Sequence, residues 1–223
     1  MSAEDRKFST NRDILPDQNS SYGTQEYWDK RYGTEAPETA FDWFLKPEQC
    51  LPLMRDLIPS KESRILMLGC GNSALGEAMY DEGWRNIVNI DYSGTLIQNM
   101  KALHSETRPE MEWLEMDIRK LDFPDGVFDI ALDKGTMDAM ITEKGDVWNP
   151  SEEVQKNCNA EVDEVIRILK NTTSAKFIYL TFGQPHFRKR YLKREGWDLE
   201  VRDVGDGVGF NYFLYVLTRS TKP

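Results

Sequence analysis

Four short stretches carry residues whose types and spacing could do chemistry: Gly69-Cys70-Gly71-Asn72-Ser73, Asp91, Asp117-Ile118 and Asp133-Lys134-Gly135-Thr136. Two glycines one residue apart let a backbone turn sharply and let a ligand approach it closely. Asp91 follows them by about 20 residues, the spacing at which a strand-end carboxylate accepts from the hydroxyls of a ribose. A carboxylate at Asp117 can accept from an exocyclic amine such as that of adenine, with backbone groups near Ile118 reading the ring edge. Asp133 and Lys134 form a polar pair where a reacting group would sit. Each stretch also has a plainer reading. The glycines suit any tight turn, Asp91 suits a helix cap, Asp117 suits a cap or turn, and residues 133–136 suit a solvated loop.

These residues act together only if the elements carrying them align. Residues 64–68 read as a short apolar strand that breaks at the glycine turn. A helix follows, with Leu75, Ala78 and Met79 on one side and Gly83 at its close. Residues 87–90 form a second strand ending at Asp91, and Ser93 or Gly94 opens a helix with Leu96, Ile97, Met100 and Leu103 at helical spacing. Residues 111–116 form a third strand ending at Asp117, and 127–132 a fourth. A long helix spans 151–169, and 176–182 form a fifth strand. Earlier, 24–32 and 47–57 read as helices, with Thr24 capping the first. Strands alternating with helices imply parallel pairing through right-handed crossovers. Residues 199–204 and 212–218 are strands joined by the glycine-rich 205–209, with no helix between them. That spacing predicts an antiparallel hairpin. The expected fold is α/β, a doubly wound, seven-stranded, mostly parallel sheet with an antiparallel C-terminal hairpin. Residues 1–21 read as a flexible N-terminal arm and 22–223 as a single domain.

Ligands of an open parallel sheet bind at the carboxyl ends of its strands. A dinucleotide there needs room for a pyrophosphate at the first helix N-terminus. S-adenosyl-L-methionine carries no phosphate. It needs an acid for its ribose, an acid for its adenine and a polar end for its amino-acid moiety. Acids at the ends of strands two and three match this second set, so the expected cofactor is S-adenosyl-L-methionine and the product S-adenosyl-L-homocysteine.

Composition narrows the partners. The chain has 223 residues and a formal net charge of -10. Nucleic acid is bound largely through Lys and Arg, so DNA is not an expected partner; small molecules or a basic protein surface are. The run Arg188-Lys189-Arg190, with Lys193 and Arg194, reads as a solvated surface. Three cysteines without close pairs argue for a reducing compartment, and the polar N-terminus lacks a secretory signal. No stretch is apolar for about 18 residues, so no membrane span is expected. Two histidines and no Cys-x-x-Cys argue against a metal. The expected compartment is the cytoplasm and the expected state a monomer.

Several longer strings carry a family likeness. They are Tyr27-Trp28-Asp29-Lys30-Arg31-Tyr32, Asp42-Trp43-Phe44, Leu68-Gly69-Cys70-Gly71-Asn72-Ser73, Asp91-Tyr92-Ser93, Asp117-Ile118-Arg119-Lys120-Leu121, Asp133-Lys134-Gly135-Thr136-Met137-Asp138-Ala139 and Pro185-His186-Phe187-Arg188. The chain resembles, from about residue 22 to 218, the methyltransferase-like proteins that modify lysine in eukaryotic elongation factor 1-alpha. The resemblance implies a class I, S-adenosylmethionine-dependent protein-lysine methyltransferase with that factor as partner. It implies that Trp28, Tyr32 and Trp43 close over the cofactor. It implies that Gly69, Gly71, Asp91, Tyr92, Asp117, Ile118 and Lys134 contact it.

Methyl transfer is a direct displacement and requires no metal or covalent enzyme intermediate. A lysine of pKa about 10.4 is almost wholly protonated at neutral pH, so its site must desolvate the ammonium and let a proton leave. Asp133 is the candidate catalytic residue, orienting the amine; a helix-cap or loop role is the alternative. Trp28, Tyr32, Trp43 and Trp148 could cradle a cation, an interaction worth about 0.5–2 kcal/mol, although Trp148 reads better as core or lid packing. His186 either faces the acceptor channel or serves as a structural hydrogen-bonder. A small-molecule methyltransferase would need a deep pocket under an inserted cap, and no large insertion is evident. A non-catalytic cofactor-binding subunit would bind without turnover, and an oxidoreductase would bind NAD instead.

Overall fold

A computed structural model describes residues 7–8, 15–142, 148–205 and 211–221. In chain order the elements are β1 (Lys7–Phe8), α1 (Gln25–Thr34), β2 (Thr39–Ala40), α2 (Pro47–Leu57), β3 (Ile65–Leu68), α3 (Leu75–Asp81), β4 (Ile87–Asp91), α4 (Gly94–His104) and β5 (Glu112–Glu115). They continue with β6 (Ile130–Lys134), α5 (Thr136–Met140), α6 (Glu152–Ile168), β7 (Lys176–Thr181), α7 (Pro185–Leu192), β8 (Trp197–Asp203) and β9 (Phe213–Arg219). The main sheet is seven-stranded in the order β5-β4-β3-β6-β7-β9-β8. All pairings are parallel except the two made by β9.

The expected fold is the one observed, and its physical basis is visible strand by strand. β3 is buried along its whole length, as a central parallel strand covered on both faces must be. Its alternate side chains feed two cores. Ile65 and Met67 pack with Met54, Leu75, Met79 and Ile97 from α2, α3 and α4. Leu66 and Leu68 pack with Val154, Cys158, Val162 and Val165 of α6. Ser151 caps α6 by accepting from the Val154 amide at 3.2 Å, and Ser93 caps α4 from the Leu96 amide at 3.4 Å. Thr24 precedes α1 without capping it; its hydroxyl donates to the Ser21 carbonyl instead.

From β3 the chain winds outward to β4 and β5, then crosses back to β6 on the other side. This reversal opens a crevice above the carboxyl ends of β3, β4 and β6. Antiparallel β9 begins at the same end of the sheet, since Thr181 pairs with Phe213.

Three further expectations are corrected, and one helix is added. The fourth strand begins three residues and ends two residues later than read, so Asp133 and Lys134 lie within β6, and Phe128 makes only a single bridge to Leu169. Residues 185–192 form α7, with Pro185 pre-set for the first turn. Arg188 in that helix is buried rather than solvated, because it is paired with buried Asp138. Trp148 is 64% exposed rather than packed in a core. The expected arm falls partly, and the 205–209 connection mostly, outside the described residues. Within the arm, Lys7–Phe8 pairs in parallel with Thr39–Ala40 and Asn19–Gly23 forms a 3-10 turn. No described helix is long and apolar enough to cross a membrane. Among the described residues no cluster of three or more His, Cys, Asp or Glu could hold a metal ion.

Candidate active site

The crevice above β3, β4 and β6 is a cleft of about 1110 Å³ of empty space, its open mouth included. Gly69 and Gly71 form its floor, Asp91 and Tyr92 one side, Asp117 and Ile118 the far end, Lys134 the other side, and Trp28, Tyr32 and Trp43 its roof. These segments, far apart in sequence, are the ones the strand-end argument and the family likeness singled out. Asn72, Ser73, Arg119 and Thr136, members of the stretches singled out in the sequence but not named as cofactor contacts, also line the cleft, and so do Tyr22, Phe41 and Asn157, which were not anticipated. Nothing local marked Tyr22, Phe41 or Asn157, which reach the cleft only once distant segments have come together.

The glycine turn is required by its geometry. Gly69 and Gly71 adopt φ of +55° and +52°, the left-handed region costly for side-chain-bearing residues. A Cβ at Gly69 would overlap Thr136, and one at Gly71 would lie 3.1 Å from the Tyr32 hydroxyl. Thr136 pins this turn by donating its hydroxyl to the Leu68 carbonyl at 2.9 Å.

Asp91 ends β4 with 6% of its surface exposed. One carboxylate oxygen accepts from the Gly71 amide at 3.1 Å, the other from the Ser93 amide at 3.0 Å. A carboxylate offers about four lone-pair sites, so capacity remains on the cleft side. Burial pushes its pKa up to about 6. Burial, helped by the Asp91 charge, raises Tyr32 well above the ordinary phenol range, which keeps it a neutral donor. Burial likewise holds the Cys70 thiol far from ionisation and removes it as a nucleophile. At the far end, burial pushes Asp117 up, but the Arg119 side chain and amide outweigh it and bring its pKa below the usual carboxylate value. Arg119 donates to the two oxygens at 2.9 and 2.6 Å.

The roof is an aromatic assembly. Trp28 stacks on Tyr32 at 5.6 Å, and Tyr22 meets Trp43 edge-on at 5.4 Å. The Trp28 indole donates to the Tyr22 carbonyl at 2.7 Å. Two carboxylates tie this roof to the sheet. Asp29 accepts from the Ser93 hydroxyl at 2.5 Å. Asp42 forms a buried ion pair with Lys134 at 3.0 Å and accepts from the Ser73 hydroxyl and the Ala74 amide. Lys134 also donates to the Trp43 carbonyl at 3.0 Å. Its ammonium is thus committed to the roof, not free in the cleft.

Asp133 is not brought to this cleft. It is fully buried, and its oxygens accept from the Thr136 and Met137 amides at 2.7 and 2.9 Å, capping α5. Burial raises its pKa to about 6, and its charge, with burial, pushes neighbouring Glu161 well above the usual range. Asp138, two residues into α5, accepts from the Thr181 hydroxyl at 2.6 Å, the Tyr179 hydroxyl at 2.8 Å and Arg188 at 2.7 Å. His186 stacks on exposed Trp148 at 5.3 Å, away from the cleft.

A family model described as a methyltransferase domain matches residues 65–149. EEF1A lysine methyltransferase 4 of Mus musculus is 35% identical over 212 residues, which cover 91% of this chain and 78% of that protein. The eEF1A lysine and N-terminal methyltransferase of Homo sapiens is 33% identical over 196 residues, covering 86% of this chain and 27% of that protein. Among solved structures, the glycopeptide N-methyltransferase MtfA complexed with sinefungin aligns with a TM-score of 0.59 at 12% identity, over 84% of this chain and 99% of that one. The PH0226 protein from Pyrococcus horikoshii OT3 aligns with a TM-score of 0.59 at 19% identity, over 78% of this chain and 89% of that one. Those two likenesses carry the fold; the curated relatives carry the family. With its glycine turn, its strand-end acids and this kinship, the chain belongs to the eEF1A lysine methyltransferase family of class I methyltransferases.

Proposed function

We propose that the protein is an S-adenosyl-L-methionine-dependent protein-lysine N-methyltransferase whose substrate is elongation factor 1-alpha. The observation that carries the reading is the convergence of Asp91 and Asp117 on one cleft, over a glycine turn and under an aromatic roof. Asp91 keeps acceptor capacity for the ribose hydroxyls, and Asp117 and Ile118 face the adenine. Gly69 and Gly71 let the ligand lie against the backbone. Trp28, Tyr32, Trp43 and Tyr92 enclose it, and Lys134 holds the roof over it.

Charge supports the same choice. The two cleft cations are each matched by a carboxylate, Arg119 by Asp117 and Lys134 by Asp42. Asp91 leaves the cleft anionic, which suits a cationic sulfonium ligand and repels a pyrophosphate.

When bound, S-adenosyl-L-methionine supplies a methyl group activated on a positively charged sulfur. The lysine ammonium first gives a proton to solvent. Its nitrogen lone pair would then take up the methyl group, the C–S bond breaking with its electron pair left on sulfur. The chain's own part is to desolvate the amine and align it. Asp133 contributes by holding α5, whose Ala139 and Met140 wall the cleft, and does not touch the amine.

The test is incubation of the protein with labelled cofactor and purified elongation factor 1-alpha, followed by peptide mass spectrometry. Methyl-lysine on the factor is expected. Turnover confined to small molecules, or cofactor binding without turnover, overturns the reading.

A further inference from the structure

Three aromatic side chains from distant segments meet just outside the cleft, against Gly135 in its wall. Phe44 follows the roof residues, Phe182 follows the end of β7, and Tyr212 precedes β9. The Phe44 ring lies 5.5 Å from that of Phe182 and 5.8 Å from that of Tyr212. None of the three was singled out as a cation-binding group on sequence grounds, because no two are near in the chain.

Two features separate this cluster from ordinary packing. Phe44 is the one non-glycine residue with positive φ, +65°, among the described residues. Such backbone persists only where surrounding structure holds it, and it clusters at functional sites. What the conformation achieves is visible at Gly135, in the wall of the cofactor cleft, where an added Cβ would lie 3.0 Å from the Phe44 ring. The strained residue therefore carries the aromatic cluster up to the cleft wall. Phe182 is 54% exposed, a large apolar ring left open to solvent at the same place. The Arg188 guanidinium lies 6.0 Å from its centroid but is engaged by Asp138. Lys134 is likewise engaged by Asp42, so neither cation competes for the open ring surface.

An open aromatic surface beside a methyl-transfer cleft suits one kind of guest: an alkylammonium, which gains cation–π attraction while its methylenes bury against the rings. We propose that Phe44, Phe182 and Tyr212 form the channel wall that receives the substrate's lysine side chain and guides it past Gly135 to the cofactor. This inference takes its substrate chemistry from the lysine-methyltransferase reading above. The wall also partly dehydrates the amine, which favours the neutral, nucleophilic form.

Phe182 is the position to test, because an exposed ring can be changed without threatening the fold. With cofactor saturating, Phe182→Leu is expected to raise KM for elongation factor 1-alpha about tenfold. Cofactor affinity by calorimetry is expected to stay unchanged, and Phe182→Tyr is expected to restore the wild-type KM. An unchanged KM in the leucine variant, or an equal loss of cofactor affinity, overturns the proposal. A second measurement needs no turnover. Tetramethylammonium titrated into protein saturated with S-adenosyl-L-homocysteine is expected to shift the ring resonances of Phe44, Phe182 and Tyr212, and the leucine variant to abolish this. Absence of those shifts overturns the proposal even where the factor is methylated. Wild-type protein that fails to methylate the factor sinks the substrate reading, while the titration still decides the channel.

Discussion

Asp91 and Asp133 make a natural pair. Both stand at the carboxyl end of central parallel strands, both are buried, both accept from two backbone amides, and burial raises both to about 6. Their surroundings differ. Asp91 borders an open cleft beside a glycine turn and a tyrosine hydroxyl, with lone pairs to offer a ligand. Asp133 is sealed beneath α5 beside Glu161 and Asp138, and its lone pairs hold the helix start. A perturbed carboxylate is therefore not by itself a catalytic one. What it faces decides whether the perturbation serves a ligand or the fold.

The largest expected effect lies on the sealed side. Arg188→Met leaves Asp138 buried without its cation, which should cost about 3–5 kcal/mol of stability. Denaturant unfolding checks this, and a loss below about 1 kcal/mol would mean that the network around Asp138 is not held by charge. On the open side, Asp91→Ala should remove a charged acceptor from the ribose, worth about 1.5–3 kcal/mol of cofactor binding. Calorimetry should register this loss. Unchanged affinity would erase the distinction between the two acids.

Asp133→Ala should do the reverse: a stability loss of about 1–2 kcal/mol from the uncapped α5, with cofactor affinity kept within about threefold. A collapse of affinity would return Asp133 to the cleft.

The most gradual effect, spread over several pH units, is in pH. A raised carboxylate pKa means the fold favours the protonated form. The stabilisation that Asp91 and Asp133 contribute is therefore complete below about pH 4. It is lost as pH rises to about 6. Cofactor affinity should run the other way, strengthening as Asp91 ionises through about pH 6. Asp133→Asn should make the stability profile shallower, leaving the part due to Asp91, and leave the affinity profile intact. Parallel changes in both profiles would show that one shared group governs them.

The alternation of apolar strands with helices, the glycine turn and the acids at strand ends were legible residue by residue. Each is a local matter: burial on two faces writes a continuous apolar run, and a tight turn demands glycine. Even the hairpin followed from a missing helix between 204 and 212. The direction of a strand-end side chain was not legible. A shift of two residues drew Asp133 into β6, and the choice between cleft and core fell to the helix behind it. Nor was the burial of Arg188, whose partner Asp138 stands 50 residues away, or the meeting of Phe44, Phe182 and Tyr212. Periodicity reports how one element meets its neighbours, whereas an ion pair or ring cluster joining distant segments exists only once the sheet has brought them together.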